Sequence, residues 1–221
     1  MTQAKLRRPQ CARCLRAQST CICPWITPVD HQVEVLILQH PMELHEAKGS
    51  ARLLHLSLAR SRMVMGEVFD EQALQALLTA PFSDQPPEAT AQSTRHSQAL
   101  RQPVLLYPTT QPDATLATPP VLTPEQLRDP SKVRLVVLDG TWRKSRKMLH
   151  LNPLLQRLPR LELQNPPAPR YLIRKAQQSH QLSTLEATCA ALAQLEGNAE
   201  TIAPLLTAFD GFVAQQLAQR P

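Results

Sequence analysis

The chain has 221 residues, 43% of them hydrophobic, with 24 Lys and Arg against 18 Asp and Glu for a formal charge of +6. That apolar fraction excludes a wholly disordered protein, and no apolar run approaches the roughly 18 residues of a membrane helix. Only 5 glycines, with no GxGxxG or P-loop pattern, exclude a glycine-cradle nucleotide site, while 21 prolines predict long loops.

At about 150 residues per domain the length predicts one main domain plus a small appendage, divided here as 1–30 and 31–221. The first eight residues are basic but carry no apolar stretch, so no secretory signal is expected and the expected compartment is the cytoplasm. Charge is uneven: between Ser131 and His180 eleven basic residues meet two acids, Asp139 and Glu162, a net of +9 that leaves the rest of the chain at −3. A polyanion, and among large ones a nucleic acid, is the partner such clustering suggests; a solubilising surface is the alternative.

In chain order, Cys11-x2-Cys14-x6-Cys21-x-Cys23 comes first, four of the five cysteines within 13 residues. Without a secretory signal, disulfides are not expected. Four thiolates on so short a segment suit a tetrahedral Zn²⁺ site that supplies folding energy; an iron–sulfur cluster takes the same ligands and stays open. With no ligand position left free, the metal is read as structural. Arg13 and its basic neighbours give this module a nucleic-acid-facing character.

Residues 31–39 read as a strand buried on both faces. A helix is expected over 45–61 after a turn at Gly49-Ser50, a short strand over 64–68 and a short helix over 71–78. Residues 80–102 are loop, 103–107 a second core strand, and 108–130, with six prolines, a long excursion. Residues 133–138 form the third core strand, followed by a helix over 142–150. Short strands are expected at 161–163 and 171–173, then helices over 183–195 and 201–219. This alternation predicts an α/β domain with a mostly parallel sheet flanked by helices. The loops at Gln39-His40-Pro41, Tyr107-Pro108 and Asp139-Gly140 should then meet at the strands' carboxyl ends, where such sheets bind ligands. Cys189, inside a helix, reads as core.

Asp139-Gly140-Thr141-Trp142 stands at the end of the third core strand. Asp or Thr makes a good N-cap there and Gly a turn. On a helical wheel Trp142, Ser145, Met148 and Leu149 take one side and Arg143, Lys144, Arg146, Lys147 and His150 the other. Cations in a first turn oppose the helix dipole, a conflict that a docked anion would relieve. Trp142 either stacks on a nucleobase or fills the core.

The segments Cys11-Ala12-Arg13-Cys14, Cys21-Ile22-Cys23, His40-Pro41-Met42-Glu43, Ser50-Ala51-Arg52-Leu53-Leu54, Leu105 with Tyr107-Pro108, Leu138-Asp139-Gly140-Thr141-Trp142 and Leu182-Ser183-Thr184-Leu185-Glu186-Ala187, in this order, resemble the DTW-domain family. The resemblance implies a SPOUT-like, knotted fold and a tRNA-uridine aminocarboxypropyltransferase. Such an enzyme uses S-adenosylmethionine to place a 3-amino-3-carboxypropyl group on N3 of a uridine, releasing methylthioadenosine. It implies Asp139, Thr141 and Trp142 as catalytic residues, with Asp139 taking the N3 proton. Arg52, Tyr107, Pro108, Leu138, Gly140, Ser183 and Thr184 would hold the donor, with Arg52 on its carboxylate. Arg13, Arg143, Lys144, Arg146, Lys147, Arg170, Arg174 and Lys175 would hold tRNA phosphates. The bland role of Ser183 is a capping box with Glu186. Two departures are visible: Gly49-Ser50 stands where the family often has Asn-Thr, and Tyr107-Pro108 continues as Thr109-Thr110-Gln111 without an acid. Monomer and homodimer are both open, with no obligate protein partner and no membrane expected. The alternatives are an RNA methyltransferase using the same donor and a zinc-containing RNA-binding protein without activity.

Overall fold

The computed structural model describes residues 9–44, 46–82, 100–108, 116–170 and 181–218. The expected strand at 171–173 and the cations Arg174 and Lys175 lie outside the described residues.

The elements run β1 (Glu34–Gln39), α1 (Ala51–Ser57), β2 (Ser61–Met65), α2 (Glu71–Thr79), β3 (Gln102–Leu106), α3 (Pro124–Leu127), β4 (Val133–Asp139), α4 (Trp142–Leu151), α5 (Pro153–Gln156), β5 (Arg160–Leu161), α6 (Thr184–Glu196) and α7 (Ala203–Ala218). The five strands form one all-parallel sheet in the order β2-β1-β4-β3-β5. The apolar runs at 34–39 and 133–139 become its two inner neighbours, β1 and β4, every residue of which is buried. Alternate side chains of a strand face opposite sides, and the core divides accordingly. Val35, Ile37, Leu135 and Val137 pack beneath α1, α6 and α7, while Leu36, Leu38, Val136 and Leu138 meet α2, α4 and α5.

Two expected elements are shorter or shifted. The helix foreseen over 45–61 is only Ala51–Ser57; beyond it the Ser61 hydroxyl donates to the carbonyl of Leu58 at 2.8 Å, with that of His55 at 3.1 Å, where the chain turns into β2. β2 occupies 61–65 rather than 64–68, its register fixed by Val35 opposite Ser61 and Gln39 opposite Met65.

The cysteine segment packs into the first of these cores. Cys14 and Ile22 belong to it, the Trp25 indole donates to Gln215 Oε1 on α7 at 2.7 Å, and a Cβ on Gly211 would lie 2.1 Å from that indole. Cys189 is buried, as expected, and burial pushes its thiol up.

At the sheet's amino-terminal end, Arg134 is wholly buried. It donates to the Glu34 carboxylate through Nε (3.0 Å) and Nη2, and to Leu77 O at 2.6 Å. Arg101 holds the other oxygen of Glu34 at 3.0 Å. Of the eleven cations counted in the basic block, Arg134 and the nearly buried Arg160 are therefore interior.

Candidate active site

Parallel strands direct their carboxyl ends to one edge, and here the ends of β1, β4 and β3 meet. Gln39 and Asp139, the last residues of β1 and β4, are partners in register, and His40 N–H donates to Asp139 O at 2.9 Å. A cleft of about 640 Å³ opens there, lined by Lys48, Gly49 and Ser50 on one side, Leu106 and Tyr107 on another, 137–145 along its floor and rim, and 181–184 with Ala187 above. The volume falls in the range of small-molecule sites.

Asp139 is only 5% exposed yet lies in the cleft wall. Gln39 Nε2 donates to its Oδ2 at 2.9 Å and the Thr184 hydroxyl to its Oδ1 at 2.7 Å. Two neutral donors from β1 and from the start of α6 thus fix the plane of the carboxylate. Thr141 is the N-cap of α4, one of the two caps the sequence allowed, its Oγ1 accepting from Lys144 N at 3.4 Å. The hydroxyl that reaches Asp139 comes from Thr184. Gly140 sits in a close approach: a Cβ there would stand 3.1 Å from Lys144 Cβ, tight enough that the first turn of α4 would have to shift by a few tenths of an ångström.

Trp142 is 51% exposed, so it does not fill the core; Ser145, Met148 and Leu149 do, as the helical wheel indicated. Its ring stands edge-on to Tyr107, with centroids 5.7 Å apart and planes at 77°, and the Arg160 guanidinium lies over the Tyr107 ring. Both rings of this aromatic pair line the cleft.

Across the opening, Ser183 caps α6 in the capping box read from the sequence: its Oγ accepts from Glu186 N, and its N–H donates to Glu186 Oε2 at 2.8 Å. Ser50 Oγ accepts from Leu185 N at 3.3 Å, joining the start of α1 to the start of α6. Leu138, Gly140, Ser183, Thr184 and Tyr107 all line the cleft, whereas Pro108 and Arg52 are not among its lining residues. Arg52 turns away and donates to Arg13 O at 3.0 Å. The sequence did not single out Gln39, Lys48 or Gln181 as site residues; the expected meeting of the three strand-end loops was the one signal pointing to Gln39.

The basic face of α4 is partly neutralised. Lys144 Nζ lies 2.8 Å from the buried carboxylate of Glu43, and Lys147 Nζ 3.0 Å from Glu67. Glu67 also accepts from His40 Nε2 at 2.8 Å, and these two partners, His40 foremost, draw its carboxyl below the usual range. Arg170 pairs with Asp210 at 2.9 Å. Arg13, Arg143 and Arg146 are exposed.

The four cysteine sulfurs of the N-terminal segment lie within 4.8 Å of one another, with Cys11–Cys23 at 3.5 Å and Cys14–Cys21 at 3.7 Å. Thiolates bound tetrahedrally to Zn²⁺ at about 2.3 Å stand about 3.8 Å apart, so the set is close to a metal-ready arrangement. Backbone hydrogen bonds with Cys14 and Arg13 draw the Cys11 thiol down to about 6, while burial and then Cys11 push Cys23 up to about 12. These four residues can hold a metal ion.

The description of one family, the DTW domain, matches residues 8–217. The chain belongs to the DTW-domain family. It is 29% identical over 220 residues to tRNA-uridine aminocarboxypropyltransferase 2 of Macaca fascicularis, covering 96% of this chain and 66% of that protein. The same protein of Mus musculus is 29% identical with the same coverage, and that of Drosophila melanogaster is 28% identical over 88% of this chain and 69% of its own length. This DTW-domain chain thus spans slightly under two thirds of the mammalian relatives it matches. No solved structure matches it. Among the described residues no helix is long and apolar enough to cross a membrane.

Proposed function

We propose that this DTW-domain protein transfers the 3-amino-3-carboxypropyl group of S-adenosylmethionine to N3 of a uridine in tRNA, releasing methylthioadenosine. The relatives' names point to the reaction. The observation that carries it to this chain is Asp139, held by Gln39 and Thr184 in the wall of a cleft large enough for a nucleoside-sized ligand. That cleft combines an aromatic wall with convergent hydroxyls, carboxylate and ammonium, the mixture expected of a small-molecule site.

The donor supplies a sulfonium whose Cγ is electrophilic. The protein's task is placement, since near-attack geometry can be worth several kcal/mol. Uracil N3 carries a proton, and Asp139 accepts it, its plane fixed by the amide of Gln39 and the hydroxyl of Thr184. Trp142 offers its exposed face to a nucleobase. Thr141 acts through the cap that fixes the first turn of α4 and hence Trp142. Tyr107, Leu138, Gly140 and Ser183 shape the donor's enclosure. With Arg52 turned toward Arg13, Lys48 is the cation on the opposite wall suited to the donor's carboxylate. Arg13, Arg143 and Arg146 face tRNA phosphates; Lys144, Lys147 and Arg170 are already paired with Glu43, Glu67 and Asp210 and contribute less to that surface, to which Arg174 and Lys175 also belong.

Two further parts of this reading are structural. Residues 1–30 form a module that holds a structural Zn²⁺ on Cys11, Cys14, Cys21 and Cys23, attached to the catalytic region 31–221; the sulfur geometry supports it. The fold is SPOUT-like and knotted, supported by the all-parallel sheet with β4 between β1 and β3 and by the return of α6 to the carboxyl end of β4. The expected compartment is the cytoplasm.

The test incubates purified protein with unmodified tRNA transcripts and S-adenosylmethionine labelled in the aminocarboxypropyl arm. Label in uridine with release of methylthioadenosine is the expected result. S-adenosylhomocysteine would mean methyl transfer instead, and no product would leave an RNA-binding protein. Asp139→Ala should abolish transfer while tRNA binding persists.

A further inference from the structure

The cysteine segment and the cleft are joined by one side chain. Arg16 follows the first cysteine pair. The knuckle that holds it is closed by Leu15 N–H donating to Cys11 O and Cys11 N–H donating to Arg16 O, both at 2.8 Å. Leu15 sits at φ 60, the left-handed region that an L residue adopts only when its surroundings enforce it. From this base the Arg16 guanidinium reaches across 31 to 33 residues of sequence. Nη1 donates to Ala47 O at 2.5 Å and Nη2 to Gly49 O at 2.6 Å. The same group lies over the Phe212 ring of α7, 5.2 Å from its centroid. Arg16 is one of the basic neighbours of Arg13 expected to face nucleic acid; the structure turns it inward onto the chain.

The two carbonyls it holds flank Lys48, and Lys48, Gly49 and Ser50 form one wall of the cleft. This wall has little regular structure of its own, residues 46–50 leading into α1 through a turn. The planar fork of an arginine reaches two carbonyls at once, which the single ammonium of a lysine does less well. On the far side of the module Arg52 of α1 donates back to Arg13 O.

We propose that Arg16 is a positioning residue that links the cysteine quartet to the cleft, so that metal held by Cys11, Cys14, Cys21 and Cys23 fixes the Lys48–Ser50 wall through the Arg16 fork. The knuckle is rigid when its thiolates are bound to a metal, because folding of so small a segment is driven by metal ligation. A rigid knuckle holds the guanidinium still, and a still guanidinium orders the turn that carries Lys48. Loss of metal frees the knuckle, and the wall loosens although no residue of the cleft has changed. The donor-binding consequence rests on the function proposed above; the ordering of the wall does not.

The test uses the full chain, metal-loaded, as wild type and as Arg16→Lys and Arg16→Gln, with metal content and near-ultraviolet circular dichroism confirming that each variant is loaded and folded. Hydrogen–deuterium exchange of the peptide covering residues 46–50 is the first readout. Both variants should exchange there about tenfold faster than wild type, the scale of one charge-assisted hydrogen bond, while β1 and β4 stay protected. Chelation of wild type should raise exchange of the same peptide, and chelation of Arg16→Gln should raise it no further, since both changes act through one link. The second readout is calorimetric binding of S-adenosylmethionine, expected about tenfold weaker in Arg16→Lys at unchanged metal content. Unchanged exchange at 46–50 in both variants overturns the proposal, as does a chelation effect that persists in full in Arg16→Gln. Should wild type bind no S-adenosylmethionine, the proposed donor is wrong and the exchange readout alone decides the role of Arg16.

Discussion

At the residue scale the proposed chemistry rests on Asp139, and what matters is which groups hold it. A carboxylate that accepts a proton in a transition state must present a lone pair at a fixed angle, and both of its oxygens are already gripped, one by an amide and one by a hydroxyl. Asp139→Asn keeps the shape and removes the base; we expect kcat to fall by at least about 100-fold with donor and tRNA binding retained, read by single-turnover assay. Thr184→Val should lower kcat about tenfold, whereas Thr141→Val, which loses only a helix cap, should cost stability of about 1 kcal/mol and little catalysis. Equal loss of kcat in both threonine variants would show that Thr141 serves catalysis beyond its helix cap. The sequence indicated that the Gln39 and Asp139 loops would meet and named Thr184 for the site, but not that these two side chains grip the carboxylate, because Gln39 lies 100 residues from Asp139 and Thr184 lies 45 away. The strand end, the turn and the tryptophan were legible, because they are contiguous.

At the element scale, local rules served wherever an element's ends are coded nearby. The Ser183–Glu186 capping box, the α4 cap at Thr141 and the unbroken apolar runs of β1 and β4 stand where the sequence put them. Elements whose ends are set by pairing moved: β2 slid three residues to match β1, and α1 lost both ends. Two ionic features belong to this scale. The buried Glu34 carboxylate sits between Arg134 and Arg101, so Glu34→Gln leaves a fully buried guanidinium short of its counter-charge. Removing one partner of such a pair costs about 3–5 kcal/mol, measurable by urea denaturation. His31 is buried, its Nδ1 donating to Val33 O at 2.8 Å and its Nε2 accepting from Arg60 N at 3.2 Å. Burial lowers its affinity for a proton below the usual 6.5. The unfolded chain therefore binds a proton first as the medium becomes acid. Stability is unaffected by this group above about pH 6.5, then falls with decreasing pH until the folded value is passed. Thermal melting followed from pH 8 to 5 should show that slope, and His31→Gln, less stable throughout, should show a shallower one.

At the scale of the whole molecule, charge counted along the chain overstated charge offered to a partner. Arg134 and Arg160 are buried in the block that holds +9, and Lys144, Lys147 and Arg170 already hold carboxylates. Arg143 is exposed and lines the cleft, so on the proposed function it is the α4 cation best placed to meet a phosphate there. Arg143→Glu should weaken tRNA binding and reduce the slope of log affinity against log salt by about 1. Lys144→Gln should leave that slope nearly unchanged and instead destabilise the fold by uncovering buried Glu43. Equal slope changes in the two variants would show that the ion pair with Glu43 opens on binding. Metal analysis finding one zinc per chain is the expected composition; iron would convert the quartet to a cluster site.

The order of apolar runs, turns and caps, together with the cysteine spacing and the Asp-Gly-Thr-Trp turn, settled the α/β class, the metal-ready quartet and the position of the acid at a strand tip. Each of these is a property of neighbours in sequence. Tertiary structure alone decided that Gln39 and Thr184 grip that acid, that Trp142 lines a cleft rather than the core, that Arg52 is not among the cleft's lining residues, and that Arg16 holds the turn carrying Lys48. A side chain's partner across the fold depends on where strands pair and helices pack, and those distances are set by the closing of the whole sheet, which no local run of residues encodes.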